Sequence, residues 1–321
     1  MTAKVRLETP PRRPAGVPET VWQILACPMC EAWPLDEAAA GVSCTQCGAR
    51  YPVTGQGQLD LRLRGPKTYP MAFTLGEDPT GQRWPALECL QASAAAELDY
   101  RGIDLPRRLT KGNRLTPELL SYFPYVEAGG ALLDLGCGNH VFRQVAAYTN
   151  LEYVGVDYDG QTPSILADAH SLPFRAQSFD FVMSFAVLEH VQYPFVVVRE
   201  LSRVMKPGAR FVGTVAFLEP FHRNSFYHLT HLGTYNLLAS GGLEVEHLEP
   251  NAGWSGLRAM AEMGLFPRMP KALARLLVLP VEALHELWWR LGHRLRGSRG
   301  SDDLARQALT TAGFRFVCRK P

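Results

Sequence analysis

Apolar positions along the chain fall in short blocks separated by glycine, proline and polar clusters, and over one region the blocks follow a regular order. Ala131-Leu132-Leu133-Asp134-Leu135 is an apolar run that stops at Gly136-Cys137-Gly138. That is the pattern of a buried parallel strand entering a turn where backbone must come close to a ligand. A helix is expected from about Val141 to Tyr148, then a strand, Glu152 to Val156, with Asp157 at its carboxyl end. A further strand is expected from about Phe179 to Phe185. Pro194 then opens a helix through Val196 and Leu201 to Met205, which Lys206-Pro207-Gly208 ends. Arg210 to Ala216 reads as the next strand, Gly233 to Leu238 completes a helix stopped by Gly241-Gly242, and Leu243 to Leu248 alternates as a half-buried strand. Thr311 to Arg319 closes the chain as another alternating strand, and Thr116-Pro117-Glu118 carries the signals of a helix start ahead of the series. Strands alternating with helices in this way define an α/β fold with a mostly parallel sheet.

Strand, glycine turn, helix, strand and terminal acid is the arrangement of a dinucleotide-type site, in which the carboxylate takes a ribose diol. The acid just before the glycines, Asp134, would repel a pyrophosphate and attract an ammonium group. Ala167-Asp168-Ala169, Ser178-Phe179-Asp180, Val187-Leu188-Glu189-His190 and Leu201 to Gly208 follow in order. Together these motifs resemble the class I S-adenosylmethionine-dependent methyltransferases, in particular the small-molecule branch called type 11, over roughly residues 116 to 251. The resemblance implies a Rossmann-like sheet whose last strand is antiparallel. It implies that S-adenosylmethionine is held by Asp134, Gly136 and Gly138 at its methionine end, by Asp157 with Tyr158 beside it at the ribose, and by Asp168 and the Ala169 amide at the adenine. Phe185 would lie near the sulfonium. His140 replaces the family's usual third glycine; a subset of the family with that change has an aromatic and an arginine just after it, as Phe142 and Arg143 are here. Arg143 is then either a partner of the cofactor carboxylate or a plain surface arginine at a helix start.

Ahead of this region stand Cys27-Pro-Met-Cys30 and, thirteen residues later, Cys44-Thr-Gln-Cys47-Gly48. Two such pairs place four thiolates around one zinc, and a fully protein-ligated zinc is structural, with no open position for chemistry. Ala49 to Val53, with Gly55 and Gly57, reads as the closing hairpin of a zinc ribbon, and the module resembles short ribbons found ahead of some methyltransferases. The chain then divides into an arm at 1–21, a zinc ribbon at 22–64, a linker or cover segment at 65–115, and a methyltransferase domain at 116–321 with a helical insertion around 254–300. In the cover segment Tyr69, Phe73, Trp84 and Tyr100 either contact substrate or pack the ribbon onto the main domain. Arg101, Arg107, Arg108, Lys111 and Arg114 form a basic cluster, either a solvated face or a grip on an anionic substrate.

The loop after the fifth strand reads Glu219-Pro220-Phe221-His222-Arg-Asn-Ser225-Phe226-Tyr227-His228-Leu-Thr230. Loops at the carboxyl ends of parallel strands lie over the ligand crevice, and similar text occurs in the type 11 subset. His222, or as alternatives His228 and Tyr227, would take a proton from the acceptor, or the histidines and His231 would only bond the loop; Glu189-His190 reads as a structural or orienting pair, with His190 as a third candidate base. Residues 272–295 carry leucines and tryptophans at helical spacing with arginines after them, and Pro280 as a break. A membrane-surface helix, a dimer contact and a cover over the site all fit; apolar residues that form no clean stripe favour packing.

Composition adds bounds. The chain has 321 residues, 46% of them hydrophobic, and a formal charge of +2, which supports a large core and argues against a broad grip on nucleic acid. No signal-peptide pattern or membrane-length apolar run is visible, so a cytoplasmic location is expected, with Cys89, Cys137 and Cys318 as reduced thiols. The function expected is methyl transfer to oxygen or nitrogen of a small molecule, in a possible homodimer. The alternatives are a ribosomal RNA base methyltransferase whose ribbon holds RNA, and a non-catalytic methyltransferase-like scaffold.

Overall fold

A computed structural model describes residues 17–72, 115, 117–126, 129–220, 224–251, 253–296 and 302–321. A four-residue helix, α1 (Glu19–Trp22), leads into a small antiparallel sheet of β1 (Asp36–Ala38), β2 (Gly41–Ser43) and β3 (Arg50–Pro52). Next come β4 (Leu59–Asp60), α2 (Pro117–Leu120), β5 (Ala131–Leu135), α3 (Arg143–Ala146), β6 (Glu152–Asp157), β7 (Ile165–Leu166) and β8 (Phe179–Phe185). They are followed by α4 (Pro194–Val204), β9 (Met205–Ala216), α5 (His231–Ser240), β10 (Glu244–Pro250), α6 (Gly256–Met260), α7 (Lys271–Arg296), α8 (Asp302–Thr310) and β11 (Gly313–Arg319).

Eight strands form the main sheet in the order β10-β11-β9-β8-β5-β6-β7-β4. It is parallel from β4 to β9, and β11 runs antiparallel between β9 and β10. The chain runs outward from β5 through β6 to β7 and returns to β8 on the other side of β5. The resulting switch point leaves a crevice at the carboxyl ends of β5 and its neighbours, where ligands of open α/β sheets bind. Successive side chains point to opposite faces: Leu132, Phe181 and Met183 pack under Leu119 and Leu120, whereas Leu133 and Val182 join a second core. That second core continues without interruption into Leu25, Leu35, Tyr51 and Leu61 of the N-terminal module.

Several local expectations are corrected. The helix after the glycine turn is one α-turn from Arg143, continued as 3-10 to Thr149, instead of 141–148. Lys206-Pro207-Gly208 lies inside the strand: β9 pairs with β8 at Met205 and again from Arg210, and the intervening residues bulge out, with Gly208 at φ +78°. Pro280 interrupts nothing, because α7 runs through it for 26 residues. Thr116, Phe73, Trp84, Tyr100, Cys89 and the basic cluster from Arg101 to Arg114 lie outside the described residues.

Gly213 marks the tightest crossing of the sheet. A Cβ there would lie 2.3 Å from the Ser184 carbonyl oxygen and 2.6 Å from Cζ of Phe316, and neither the strand backbone nor the fully packed ring has room to retreat. Gly213→Ala is therefore expected to destabilise the fold by about 3 kcal/mol, measured as a fall in the urea midpoint.

Candidate functional site

The crevice is built from the ends of β5 and β6. Asp134 is 1% exposed and accepts a 2.6 Å hydrogen bond from the Tyr153 hydroxyl. Burial pushes its carboxyl up to about 7; the Tyr153 bond offsets part of this, and the Asp157 charge adds to it. At Gly136 the backbone is left-handed (φ +72°), and a Cβ would strike Val187 at 2.3 Å. Gly138 (φ +50°) faces open space and donates its N–H to Asp157 Oδ2 at 2.9 Å, while Asp157 Oδ1 takes the Tyr158 N–H at 2.8 Å. Asp157 thus holds the glycine turn as well as standing at the strand end.

His140 fits where a third glycine was expected because the next strand makes room. Its backbone is left-handed (φ +53°), and its ring packs edge-on to Tyr153 above Gly155, where a Cβ would come within 2.9 Å of His140 Nε2. Burial lowers the His140 pKa, and the Arg143 charge adds to this. Arg143 is exposed at the start of α3, its guanidinium 5.9 Å from the Tyr153 ring centre. Phe142 packs on Phe185 at 4.5 Å, and Ser184 Oγ bonds the Leu135 carbonyl at 3.0 Å, drawing the ends of β8 and β5 together.

Asp168 follows β7. Its Oδ1 accepts the His170 N–H at 2.9 Å and pairs with His170 Nδ1 at 2.7 Å; burial raises this carboxyl, and the His170 bonds outweigh it and leave the pKa low. His170 Nε2 takes the Tyr193 N–H at 3.1 Å, so the proton of the neutral ring sits on Nδ1 and points at Asp168. Ala169 is half-buried against the core, and Tyr158 is exposed beneath the Arg62 guanidinium at 5.5 Å. Tyr153 and His170, the partners of the two acids, are residues the sequence reading did not pick out. The only sequence signal they carry is position: His170 two residues after Asp168, and Tyr153 on the strand that ends in Asp157.

Of the proposed bases, His222 lies outside the described residues. His190 is half-buried in the turn after β8, and His228 is exposed on the wall of a cavity of about 730 Å3. That cavity opens where β9 ends, between Leu218, Glu219 and Trp254, with Arg258 and Val281 on its far side. Trp254 Nε1 donates to Glu219 Oε1 at 2.6 Å. Glu189, fully buried, carries the most unusual carboxylate near it: neither oxygen makes a hydrogen bond of normal geometry. Burial pushes its pKa up to about 7, nearby backbone amides offset this in part, and the Glu219 charge reinforces it. Val187 of the same turn covers Gly136 in the crevice.

In the N-terminal module the four cysteine sulfurs of Cys27, Cys30, Cys44 and Cys47 lie within 4.8 Å of one another. The 3.6 Å separation of Cys27 and Cys47 and the 3.5 Å separation of Cys30 and Cys44 are far beyond a disulfide and close to the sulfur spacing of about 3.8 Å around a tetrahedral metal. Glu31 (φ +63°) and Gly48 (φ +73°) close the two knuckles, and Tyr51 Oη lies 3.2 Å from Cys27 Sγ. The cluster therefore suits a metal ion with thiolate ligands.

Residues 133–213 match a family model described as a methyltransferase domain. The 27-O-demethylrifamycin SV methyltransferase of Amycolatopsis mediterranei is 31% identical over 115 residues, covering 30% of this chain and 42% of that protein. A ubiquinone biosynthesis O-methyltransferase of Albidiferax ferrireducens is 26% identical over 159 residues, 44% of this chain and 59% of that one. The chain thus spans about half the length of the curated relatives it matches. An S-adenosylmethionine-dependent methyltransferase from Mesorhizobium loti superposes with a TM-score of 0.39 at 17% identity, over 64% of this chain and 96% of that structure.

Asp134 and Glu189, with raised pKa values, each give the fold a pH-dependent cost. A buried carboxyl whose folded pKa lies above its unfolded value costs nothing while protonated in both states, and destabilises progressively as pH rises from the unfolded value towards the folded one. Glu189→Gln is expected to leave the melting temperature unchanged at pH 5 and raise it at pH 8, by at most the equivalent of about 3 kcal/mol, checked by calorimetry at both pH values.

Proposed function

We propose that this chain is an S-adenosylmethionine-dependent methyltransferase that methylates oxygen or nitrogen of a small organic acceptor held in the cavity at the end of β9. The observation that carries the reading is the set Asp134, Gly136, Gly138, Asp157 and Asp168, gathered around one crevice. Asp134, ionised, would face the ammonium of the methionine part, Asp157 the ribose hydroxyls, and Asp168 with the Ala169 amide the adenine. Tyr158 would lie beside the ribose and Phe185 beside the sulfonium, and Arg143 would be the partner of the carboxylate. Open glycine backbone at Gly138 and the left-handed Gly136 support this use.

Bound there, S-adenosylmethionine supplies an electrophilic methyl group. The chain's own task is alignment and proton removal: holding donor and acceptor in line is worth about 7–11 kcal/mol in favourable cases. His228 on the cavity wall would receive the acceptor proton as the new bond forms, with His222 on the same loop and His190 beside Glu189 as the other candidate bases. Apolar Leu218, Trp254 and Val281 beside the polar Glu219 and Arg258 suit an acceptor with both apolar body and polar group.

The test is calorimetric titration of the protein with S-adenosylhomocysteine. Micromolar binding is expected, and Asp157→Asn should weaken it about ten- to hundredfold, the loss of hydrogen bonds to a charged group. Because ionised Asp134 is the form that pairs with the ammonium, affinity should rise by roughly tenfold from pH 6 to pH 8. A folded protein that binds nothing at either pH would overturn the reading.

We infer also that the four-cysteine module at 22–64 is a zinc ribbon, ahead of a segment at 65–115 and a methyltransferase domain at 116–321. The donor set is soft and closed, which fits structural zinc. One zinc per chain is expected by mass spectrometry, and its removal by a strong chelator should lower the melting temperature by about 10 °C or more; an unchanged melt would sink the assignment.

A further inference from the structure

Helix α7 is amphipathic with its sides reversed. Its polar side faces the protein: Glu282 accepts from Arg258 Nε at 2.9 Å and from Ser255, and Arg275 pairs with Glu262. Among its described side chains only Ala274 and Val278 are buried. The apolar side faces outward. Leu276, Leu284, Leu287, Trp288, Leu291 and Leu295 are between 47% and 78% exposed, and at helical spacing they share an arc of about 120° along a rod about 39 Å long. The expectation of no clean stripe is therefore corrected: once the helix runs unbroken through Pro280, these residues form one stripe, and it is largely exposed.

Charge decides what covers the stripe. Residues 271–296 contain five lysines and arginines and two glutamates. Both acids are committed, Glu282 to Arg258 and Glu286 to Arg290, and both lie off the apolar arc. The side chains of Lys271 and Arg290 are 75% and 64% exposed, and Arg290 and Arg294 border the stripe. A second copy of the helix laid on this face would find no acid within the apolar arc to meet Arg294, and the nearest one, Glu286, is already held by Arg290. An anionic lipid surface, by contrast, meets the leucines with its acyl boundary, the arginines with its headgroups and Trp288 at the interface.

We propose that the outward face of α7 docks the protein on the surface of an anionic lipid membrane. No helix among the described residues is long and apolar enough to cross one, so α7 lies in the interface plane. Val281, Glu282 and His285 of the same helix wall the cavity. Docking therefore holds that cavity within one helix diameter, about 10 Å, of the headgroups.

The test is flotation of the full chain with vesicles of phosphatidylcholine alone and with about 30% phosphatidylglycerol added. The anionic vesicles should bind roughly tenfold more tightly, less so at high salt. Leu284→Glu/Leu287→Glu and Arg290→Glu/Arg294→Glu should each lose about tenfold or more while keeping the parent's circular dichroism and melting temperature, since these side chains are exposed. Brominated lipid should quench the parent's fluorescence and quench Trp288→Phe less. Absence of binding to either vesicle, or binding that Leu284→Glu/Leu287→Glu retains, would overturn the proposal. So would a sedimentation-equilibrium dimer that this variant dissociates, in a protein that does not float; a second copy would then be the occupant.

Discussion

The rest of the structure depends on one apolar core that does not stop at the module boundary. Leu25, Leu35, Tyr51, Leu59 and Leu61 of the cysteine module share it with Leu133, Val156, Phe174 and Phe179 of the sheet. A module with three short strands has too little apolar surface to fold alone, and here it has both a cysteine cluster and a neighbour to bury against. The joint is also hydrogen-bonded: β4 extends the main sheet beside β7, Ala26 donates to the Pro173 carbonyl at 2.9 Å, Ser171 Oγ to the Pro28 carbonyl at 2.6 Å, and Gln58 to the Gly160 and Pro163 carbonyls.

Those bonds converge on the segment from Pro163 to Arg175, which carries Asp168. From the other side, α4 grips the same segment: buried Glu200 accepts the Leu172 N–H at 3.0 Å, and Arg203 donates to the Leu172 and Phe174 carbonyls. A crevice acid on a loop would ordinarily move with the loop. Here the backbone of that loop is fixed from both faces, so the cysteine module supports the geometry of the crevice. The chain that reaches the site from the module is the Asp60–Arg62 pair, whose guanidinium lies over Tyr158.

Much of this was legible in the sequence. The apolar run ending in Gly136-Cys137-Gly138, the acid at the end of the next strand and the paired cysteine knuckles are local patterns, and the strands stand where those patterns put them. What was not legible is non-local. Gly208 and Pro280 were read by their usual local meaning, and pairing with β8 and the length of α7 overrode it. That β4 joins the main sheet depends on Ile165 and Leu166, about a hundred residues away. Tyr153 and His170 gain their roles only when folding brings a hydroxyl or a ring nitrogen to an acid.

Asp134 and Glu189 show how the site departs from what would make the fold most stable. Each is buried beside another carboxylate, Asp157 in one case and Glu219 in the other, and each is held near neutrality in consequence. A fold optimised for stability would put amides or apolar groups there. Under the proposed function Asp134 would gain a compensating charge from the ligand ammonium, which would convert the cost of its burial into affinity and into a dependence on pH. Glu189 has no compensating charge among the described residues, and it is fully buried in the turn after β8, so the cost of its ionisation falls on the fold itself.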